Sequence, residues 1–435
     1  MSSDCKNYME MALGESLKSV GISRPNPAVG AVVVKDGMVV GKGRTQRPGN
    51  AHAEVMALRD AGELARGAAI YVTLEPCCHY GRTPPCTKAI IEAGIKTVYY
   101  AHGDPNPLVR GNSRRALENG GVEVYEGLDA CIRSEFEDNL EALSSGGSSF
   151  RDGSGNAQGG EGCLCLEGAA LIRGQSEREA SGRMVFDEIE RFFEAYDYYV
   201  RYKRTFVEVK SAITDEGFMG YVMADGTLKP MKITGEAADC WNHGLRAMSD
   251  AILVGAGTVL ADNPGLDVRL VAGNNPVKIV WAGHHEFSRE EVATFRVFTG
   301  GRLRENAVVQ AVVFSCVPQP ALPEAVVLTR KDFAQCWEEM LSHLSALGMH
   351  RLMVEPGAGL ARQLSALDSP GKGVSLWNRW NLWQSTDRTM DDALASFVDG
   401  GFVAKALEFP PVPSRWVAKE SLMAGPDVLT VFYPA

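Results

Sequence analysis

Long apolar runs are missing from this sequence. No stretch of 18 or more uninterrupted apolar residues occurs among its 435 residues, which excludes an ordinary membrane-spanning helix. The opening segment, Met1 to Asn7, holds Asp4 and Lys6 and no apolar signal core, so secretion is not expected and a cytoplasmic setting is. A basic excess is missing too. There are 44 Lys+Arg against 54 Asp+Glu, a formal net charge of −10. Met1 to Ala142 alone carries 16 against 18, so no basic domain hides there. Proteins that track phosphate backbones present a basic stripe; the expected partner is a small molecule, with neither nucleic acid nor membrane. Cysteine is sparse, 10 residues in all, yet three fall between Cys77 and Cys86 beside prolines and a histidine. In a chain without a secretory signal, that cluster reads as a metal site before it reads as disulfides.

The hydrophobic pattern divides the chain. Cys5 to Val20 has helical spacing and stops at Gly21. Ala28 to Val34 and Met38 to Val40 are β-rich and joined by Lys35-Asp36-Gly37, a hairpin signal. Helix and strand patterns then alternate: His52 to Glu63, Ala69 to Leu74, Thr87 to Ala93, Lys96 to Ala101, Asn112 to Glu118 and Val122 to Tyr125. This predicts an α/β layered domain with a mixed sheet over residues 1–143. Ser144 to Gly162 is rich in Gly and Ser and cannot bury a core. With Cys163 and Cys165, read as incidental, and a helical stretch from Met184 to Arg204, it makes 144–204 a linker or insertion with a connecting helix. A second α/β pattern fills 205–435. It has strands at Phe206 to Ile213, Ala251 to Val254, Val277 to Trp281, Val308 to Phe314, Ala325 to Leu328 and Arg351 to Val354, and helices at Glu236 to Met248 and Phe333 to Leu347. After Gln363 only a terminal strand, Val428 to Phe432, is expected.

The chemistry concentrates in the first domain. His52-Ala-Glu54 opens a helix, Pro76-Cys77 follows 22 residues later, and Cys86 sits in Pro84-Pro85-Cys86-Thr87. One imidazole and two thiolates leave a fourth position for water, the ligand set of a catalytic Zn2+. Zinc lowers the pKa of a water it holds from about 15.7 toward about 7. Glu54, two residues from the histidine, can carry a proton from that water to a ring nitrogen and a leaving ammonia. The alternative is a structural zinc held by Cys77, Cys78, His79 and Cys86; it crowds three consecutive ligands onto one tetrahedron and leaves His52-Ala-Glu54 unexplained.

At these residues the sequence resembles a known family. Glu75-Pro-Cys-Cys-His-Tyr-Gly-Arg-Thr-Pro-Pro-Cys86, with Pro25-Asn26-Pro27-Ala-Val-Gly30 before it and Asp104-Pro-Asn106-Pro-Leu after it, is similar to the deaminase half of the bifunctional riboflavin-biosynthesis deaminase/reductases. Cytidine and tRNA-adenosine deaminases have Cys-x-x-Cys where this chain has eight residues between its cysteines. The resemblance implies a cytidine-deaminase-like three-layer domain followed by a dihydrofolate-reductase-like α/β domain. It implies His52, Cys77 and Cys86 as zinc ligands and Glu54 as the catalytic proton shuttle. Asn26, Arg82, Thr83, Asp104 and Asn106 would contact the substrate; taken alone, Asn26 and Asn106 between prolines read as turn residues. The implied substrate is 2,5-diamino-6-ribosylamino-4(3H)-pyrimidinone 5′-phosphate, deaminated at ring carbon 2.

The second half resembles the reductase of the same family, most strongly from Ile233-Thr-Gly-Glu through Arg246-Ala-Met-Ser-Asp-Ala-Ile-Leu-Val-Gly-Ala-Gly-Thr to Asp262-Asn-Pro-Gly-Leu-Asp-Val-Arg269. The resemblance implies NADPH as cofactor, with Lys210, Thr258 and Asp262 touching it. It makes Arg246 and Arg269 the phosphate-binding arginines, Leu266 a substrate contact and Glu355 the acid near the ribose. Three departures bear on that cofactor. The family's Asp-Gly is Glu216-Gly217; its Ser-x-Trp-Ile-Thr is Pro230-Met-Lys232-Ile-Thr234, without the serine hydroxyl and the tryptophan; its Glu-Gly-Gly is Glu355-Pro356-Gly357. Proline has no N–H to donate. The lost aromatic contact and donor predict NADPH binding weaker by about 30- to 1000-fold. Two readings stay open: an enzyme of two steps, or a deaminase joined to a non-catalytic scaffold or dimerisation module. A homo-oligomer is open to both.

Overall fold

The computed structural model describes residues 3–127, 180–223, 226, 228–229, 231–300, 311–330, 332–366, 376–387, 403–413 and 416–434. The expected linker at 144–162, Cys163, Cys165 and Pro230 lie outside them. The chain divides into two compact units, with the break near Lys203.

The first unit runs α1 (Ser3–Leu17), β1 (Gly30–Lys35), β2 (Met38–Arg44), α2 (Ala53–Ala61), β3 (Ala69–Leu74), α3 (Cys86–Glu92), β4 (Thr97–His102), α4 (Asn112–Asn119), β5 (Glu123–Glu126) and α5 (Ala180–Tyr202). Its sheet has the order β2-β1-β3-β4-β5. β1 is antiparallel to β2 and β3, whereas β3, β4 and β5 are parallel. The hairpin is set by Asp36 and Gly37, both at positive φ (51° and 74°), the backbone of a tight two-residue turn matched to strand twist. Glycines let helices lie against both faces. A Cβ on Gly30 would meet Ala12 O of α1 at 1.9 Å, and one on Gly43 would meet Ala53 O and Ala57 N of α2 at 2.2 and 2.3 Å. Gly43 pairs with Ala31, the neighbour of Gly30; strand alternation therefore puts α1 and α2 on opposite faces. Three layers result.

That contact yields a first prediction. Gly43→Ala should cost about 1–3 kcal/mol of stability through overpacking, because the added methyl pushes α2 off the sheet. Gly14→Ala, where an added Cβ meets nothing within 4 Å, is the control. Thermal melts of both variants check it, and a Gly43→Ala protein as stable as the parent would mean that α2 does not pack closely on this strand.

The second unit runs β6 (Phe206–Ile213), β7 (Phe218–Met223), β8 (Leu228–Lys229), α6 (Glu236–Ala247), β9 (Ala251–Gly255), α7 (Ala256–Asp262), β10 (Val277–Gly283), α8 (Arg289–Thr294), α9 (Arg296–Thr299), β11 (Ala311–Ser315), β12 (Val326–Val327), α10 (Phe333–Ala346), β13 (Arg351–Val354), α11 (Ala358–Ala366), β14 (Arg379–Ser385), β15 (Val403–Glu408), β16 (Trp416–Ala424) and β17 (Asp427–Pro434). Nine strands form one sheet, β12-β11-β10-β9-β13-β6-β14-β17-β16, and β15-β7-β8 form a small second one. From β12 to β14 the neighbours are parallel; β17 and β16 close the edge antiparallel. Alternation sends Ala251 and Leu253 into a core with Trp337 and Leu341 of α10 and Leu364 of α11. Ile252 and Val254 enter another with Leu245 of α6 and Val259 of α7. A parallel sheet covered on both faces is the outcome.

The C-terminal expectation falls short. Beyond Gln363 the structure adds β14, β15 and β16 to the expected β17. Buried polar residues hide β14 from a periodicity reading: Arg379, Asn381 and Ser385 are fully enclosed, and Arg379 and Asn381 both meet Glu208 of β6. That shared partner of Arg379 and Asn381 lies about 170 positions away, and no local pattern reports it.

Candidate active site

In the first unit, three side chains converge from three elements. His52 is the N-cap of α2 in an extended conformation, Cys77 follows β3, and Cys86 is the first residue of α3. Cys77 Sγ lies 3.5 Å and Cys86 Sγ 3.3 Å from His52 Nδ1. All three ligand atoms are within 4.8 Å of one another, and among the described residues no other group of three such side chains gathers. A tetrahedral zinc, about 2.3 Å from sulfur and about 2.0 Å from nitrogen, sets its ligand atoms about 3.5 Å apart. The spacing fits. The Cys86 N–H, at the start of α3, donates to Cys77 Sγ at 3.3 Å, stabilising the thiolate a metal needs. The four-ligand alternative gains nothing: Cys78 Sγ bonds Leu108 O at 3.4 Å, and His79 is outside the cluster.

Electrostatics follow from that crowding. Glu54, in the first turn of α2, is 3% exposed; burial, then the Cys77 charge, push its carboxyl up to about 7. It reaches the Cys86 thiol, so a carboxyl of raised basicity lies beside the three clustered side chains. Hydrogen bonding from Cys86, with help from His52, pulls the Cys77 thiol down to about 4. The same contact, followed by burial, pushes the Cys86 thiol up.

The expected substrate contacts ring this cluster unevenly. Thr83 Oγ1 is 3.5 Å from His52 Nε2, where it can orient the imidazole. Asp104 is buried and accepts from Asn106 N at 2.9 Å, while Asn106 Oδ1 accepts from Leu108 N at 3.1 Å. Burial raises the Asp104 carboxyl to about 6. Arg82 is exposed and Asn26 half-buried, with Asn26 N donating to Ser23 O, away from the hydrogen bonds that join His52, Cys77 and Cys86. Sequence reasoning misses Glu75. Buried at the end of β3, it accepts from Asp104 N at 3.3 Å and Gly111 N at 2.9 Å, and so shapes the loop bearing Asp104 and Asn106. An acid directly before Pro76-Cys77 is the one signal the sequence offers. The helix expected as a connector, α5, also packs on this unit: Asp197 meets His102 Nε2 of β4 at 3.0 Å and Phe193 stacks on His102 at 5.4 Å.

The second unit gathers charged side chains around the end of β13. Arg246 holds Glu355 with two bonds, Nε to Oε1 at 2.8 Å and Nη2 to Oε2 at 2.9 Å. Burial opposes the Glu355 charge, but Arg246 and then Lys210 outweigh it and keep the carboxyl below its usual range. Burial lowers the Lys210 ammonium. Arg246 Nη1 also donates to Asp267 O at 3.1 Å, and Arg269 N donates to His243 Nδ1 at 2.9 Å. Leu266 is buried, whereas Asp262 and Arg269 are exposed. Thr258 in α7 faces Gly357, whose added Cβ would meet Thr258 Oγ1 at 2.8 Å. Lys232, which stands where the family has its tryptophan, pairs with Asp239.

Comparison with known proteins agrees with this division. Residues 2–102 match the cytidine and deoxycytidylate deaminase zinc-binding region, and residues 209–368 the RibD C-terminal domain. The riboflavin biosynthesis protein RibD of Corynebacterium ammoniagenes is 32% identical over 344 residues, 78% of this chain and 76% of the relative. The chain belongs to the RibD family. The RibD of Aquifex aeolicus is 38% identical over 276 residues, 63% of this chain; the matched stretch spans 61% of that relative and 57% of the RibD of Actinobacillus pleuropneumoniae. Among solved structures, a diaminohydroxyphosphoribosylaminopyrimidine deaminase/5-amino-6-(5-phosphoribosylamino)uracil reductase from Thermotoga maritima superposes with a TM-score of 0.62 at 28% identity, covering 99% of both chains. Acinetobacter baumannii RibD (TM-score 0.61, 24% identity) shares the fold. The two RibD units are a cytidine-deaminase-like domain and a dihydrofolate-reductase-like domain, as expected. Among the described residues no helix is long and apolar enough to cross a membrane.

Proposed function

We propose that this RibD-family chain deaminates 2,5-diamino-6-ribosylamino-4(3H)-pyrimidinone 5′-phosphate at ring carbon 2 and then reduces the ribosyl chain to ribityl with NADPH. One observation carries the reading: the His52–Cys77–Cys86 cluster with Glu54 enclosed beside it. Those three residues would hold zinc, which when bound would supply the Lewis acidity that activates water. Glu54 would take a proton from the attacking water, pass it to the adjacent ring nitrogen, and move a second proton to the departing amino group. Burial and the neighbouring thiolate give its carboxyl the intermediate basicity this two-way traffic needs. Thr83 orients His52, and Glu75 with Asp104 fixes the rim.

For the second step, the chain offers a polar cradle at the carboxyl ends of β9 and β13, the usual ligand position of an open α/β sheet. Arg246 and Arg269 suit the sugar phosphate, with Leu266 against the substrate and Glu355 near the ribose; Lys210, Thr258 and Asp262 suit NADPH, which supplies hydride. Pro356 removes one backbone donor, yet α11 begins only at Ala358, so the unpaired N–H groups of its first turn remain for a cofactor phosphate. The residues present fit the group. A cytoplasmic setting goes with this chemistry.

Incubating purified protein with the diaminopyrimidinone phosphate, with and without NADPH, tests the whole reading by product mass. Deamination alone without NADPH and both changes with it are expected. Deamination alone in both arms would make the second unit a scaffold, and an unchanged substrate would refute the proposal.

A further inference from the structure

The segment Leu266–Arg269 carries an unusual backbone. Leu266 sits at φ 55° and is buried; a side chain that branches beyond Cβ adopts this left-handed conformation only where its surroundings impose it. The surroundings do so at four points. Asp267 O accepts from Arg246 Nη1 at 3.1 Å, Asp267 Oδ1 meets Lys278 Nζ at 2.8 Å, Val268 N donates to Asn275 Oδ1 at 2.7 Å, and Arg269 N donates to His243 Nδ1 at 2.9 Å. Three anchors hold the residues before Arg269. Only the last holds Arg269 itself, and its acceptor comes from α6, one turn before Arg246.

We propose that His243 is a positioning residue for the phosphate of the sugar: through Nδ1 it holds the strained Leu266–Arg269 loop so that Arg269 is presented together with Arg246 to one anion. The inference rests on the reading of the second unit as a sugar-phosphate reductase. The geometry demands that Nδ1 carry no proton, since it accepts from a backbone N–H. The site secures this chemically. His243 is 5% exposed, and burial, then the charges of Arg246 and Arg269, pull its imidazole down to about 4. A protonated ring would repel both arginines and lose the acceptor; a neutral one keeps the backbone bond, and with Arg246 already balanced by Glu355 it leaves the Arg269 charge for a phosphate.

The test uses the full-length protein and three substitutions. His243→Leu removes the acceptor, whereas His243→Asn replaces Nδ1 with an amide oxygen at similar reach. His243→Leu is expected to raise KM and Kd for the deaminated ribosyl phosphate about tenfold, with kcat at saturation and Kd for NADPH within about twofold of the parent. His243→Asn is expected to restore most of the lost affinity. If His243→Leu does not fold, His243→Ser, polar but too short to reach Arg269 N, takes its place in the same titrations. A KM unchanged in a folded acceptor-less variant, equal losses for both ligands, or no rescue by asparagine would overturn the proposal. A parent protein that binds no ribosyl phosphate would instead overturn the reductase reading, and this inference with it.

Discussion

Glu54→Gln should leave the zinc content of the protein unchanged and slow deamination by about 10²–10⁴-fold, the range in which positioned general acid–base groups act. The amide keeps the size and hydrogen-bonding oxygen of the carboxylate but cannot accept the proton from water or deliver it to ring nitrogen and leaving amine. The geometry gives the variant a clean interpretation. Glu54 is enclosed at the start of α2, and the proposed ligands are His52, Cys77 and Cys86, so the substitution alters the proposed proton carrier without removing a ligand. Metal analysis and single-turnover rates decide it. A variant retaining near-native turnover would mean that Glu54 only packs the helix, and the proton route proposed for this site would fail.

Cys86→Ser should be more drastic for the first step and silent in the second. A serine hydroxyl does not ionise near neutral pH as a thiol does, and the remaining imidazole and single thiolate make a poor zinc site. Zinc content is expected to fall well below one per chain, and deamination to background. Reduction of the already deaminated ribosyl phosphate by NADPH should continue, because Arg246, Lys210 and Glu355 belong to the other compact unit. Normal zinc in this variant would show the ligand assignment to be wrong, as would loss of zinc only in Cys78→Ser or His79→Ala proteins. Loss of both activities together would contradict the separation of the two steps.

Much of the first site is legible in the amino-acid sequence alone. A histidine two residues before an acid, and two cysteines at proline-lined turns, carry a local signature because each ligand occupies a helix start or a turn, and those have short sequence patterns. The hairpin is legible for the same reason: Asp36 and Gly37 must take positive φ, and few residue pairs do so cheaply. Glu75 is not. Its partners are backbone N–H groups at Asp104 and Gly111, which leave no mark in the sequence beyond the presence of an acid. Helix α5 announces itself as a helix, but its amphipathic pattern does not say which unit it covers.

In the second unit the division is sharper. The central parallel strands announce themselves as apolar runs because both faces are buried, and the Arg246-to-Arg269 stretch names its family. What the sequence determined about this protein is therefore its pair of folds and its family, and it singled out the residues that the proposed metal site and proton route use. Only the tertiary structure decided that β14 is a buried strand, that Lys232 pairs with Asp239, that Arg246 clasps Glu355, and that His243 accepts from the Arg269 backbone. Each of these depends on a partner distant in sequence, apart from Lys232, whose partner is seven residues away. A polar side chain chooses among the partners that folding brings within hydrogen-bonding distance, and that choice is made in space, after periodicity and spacing have said all they can.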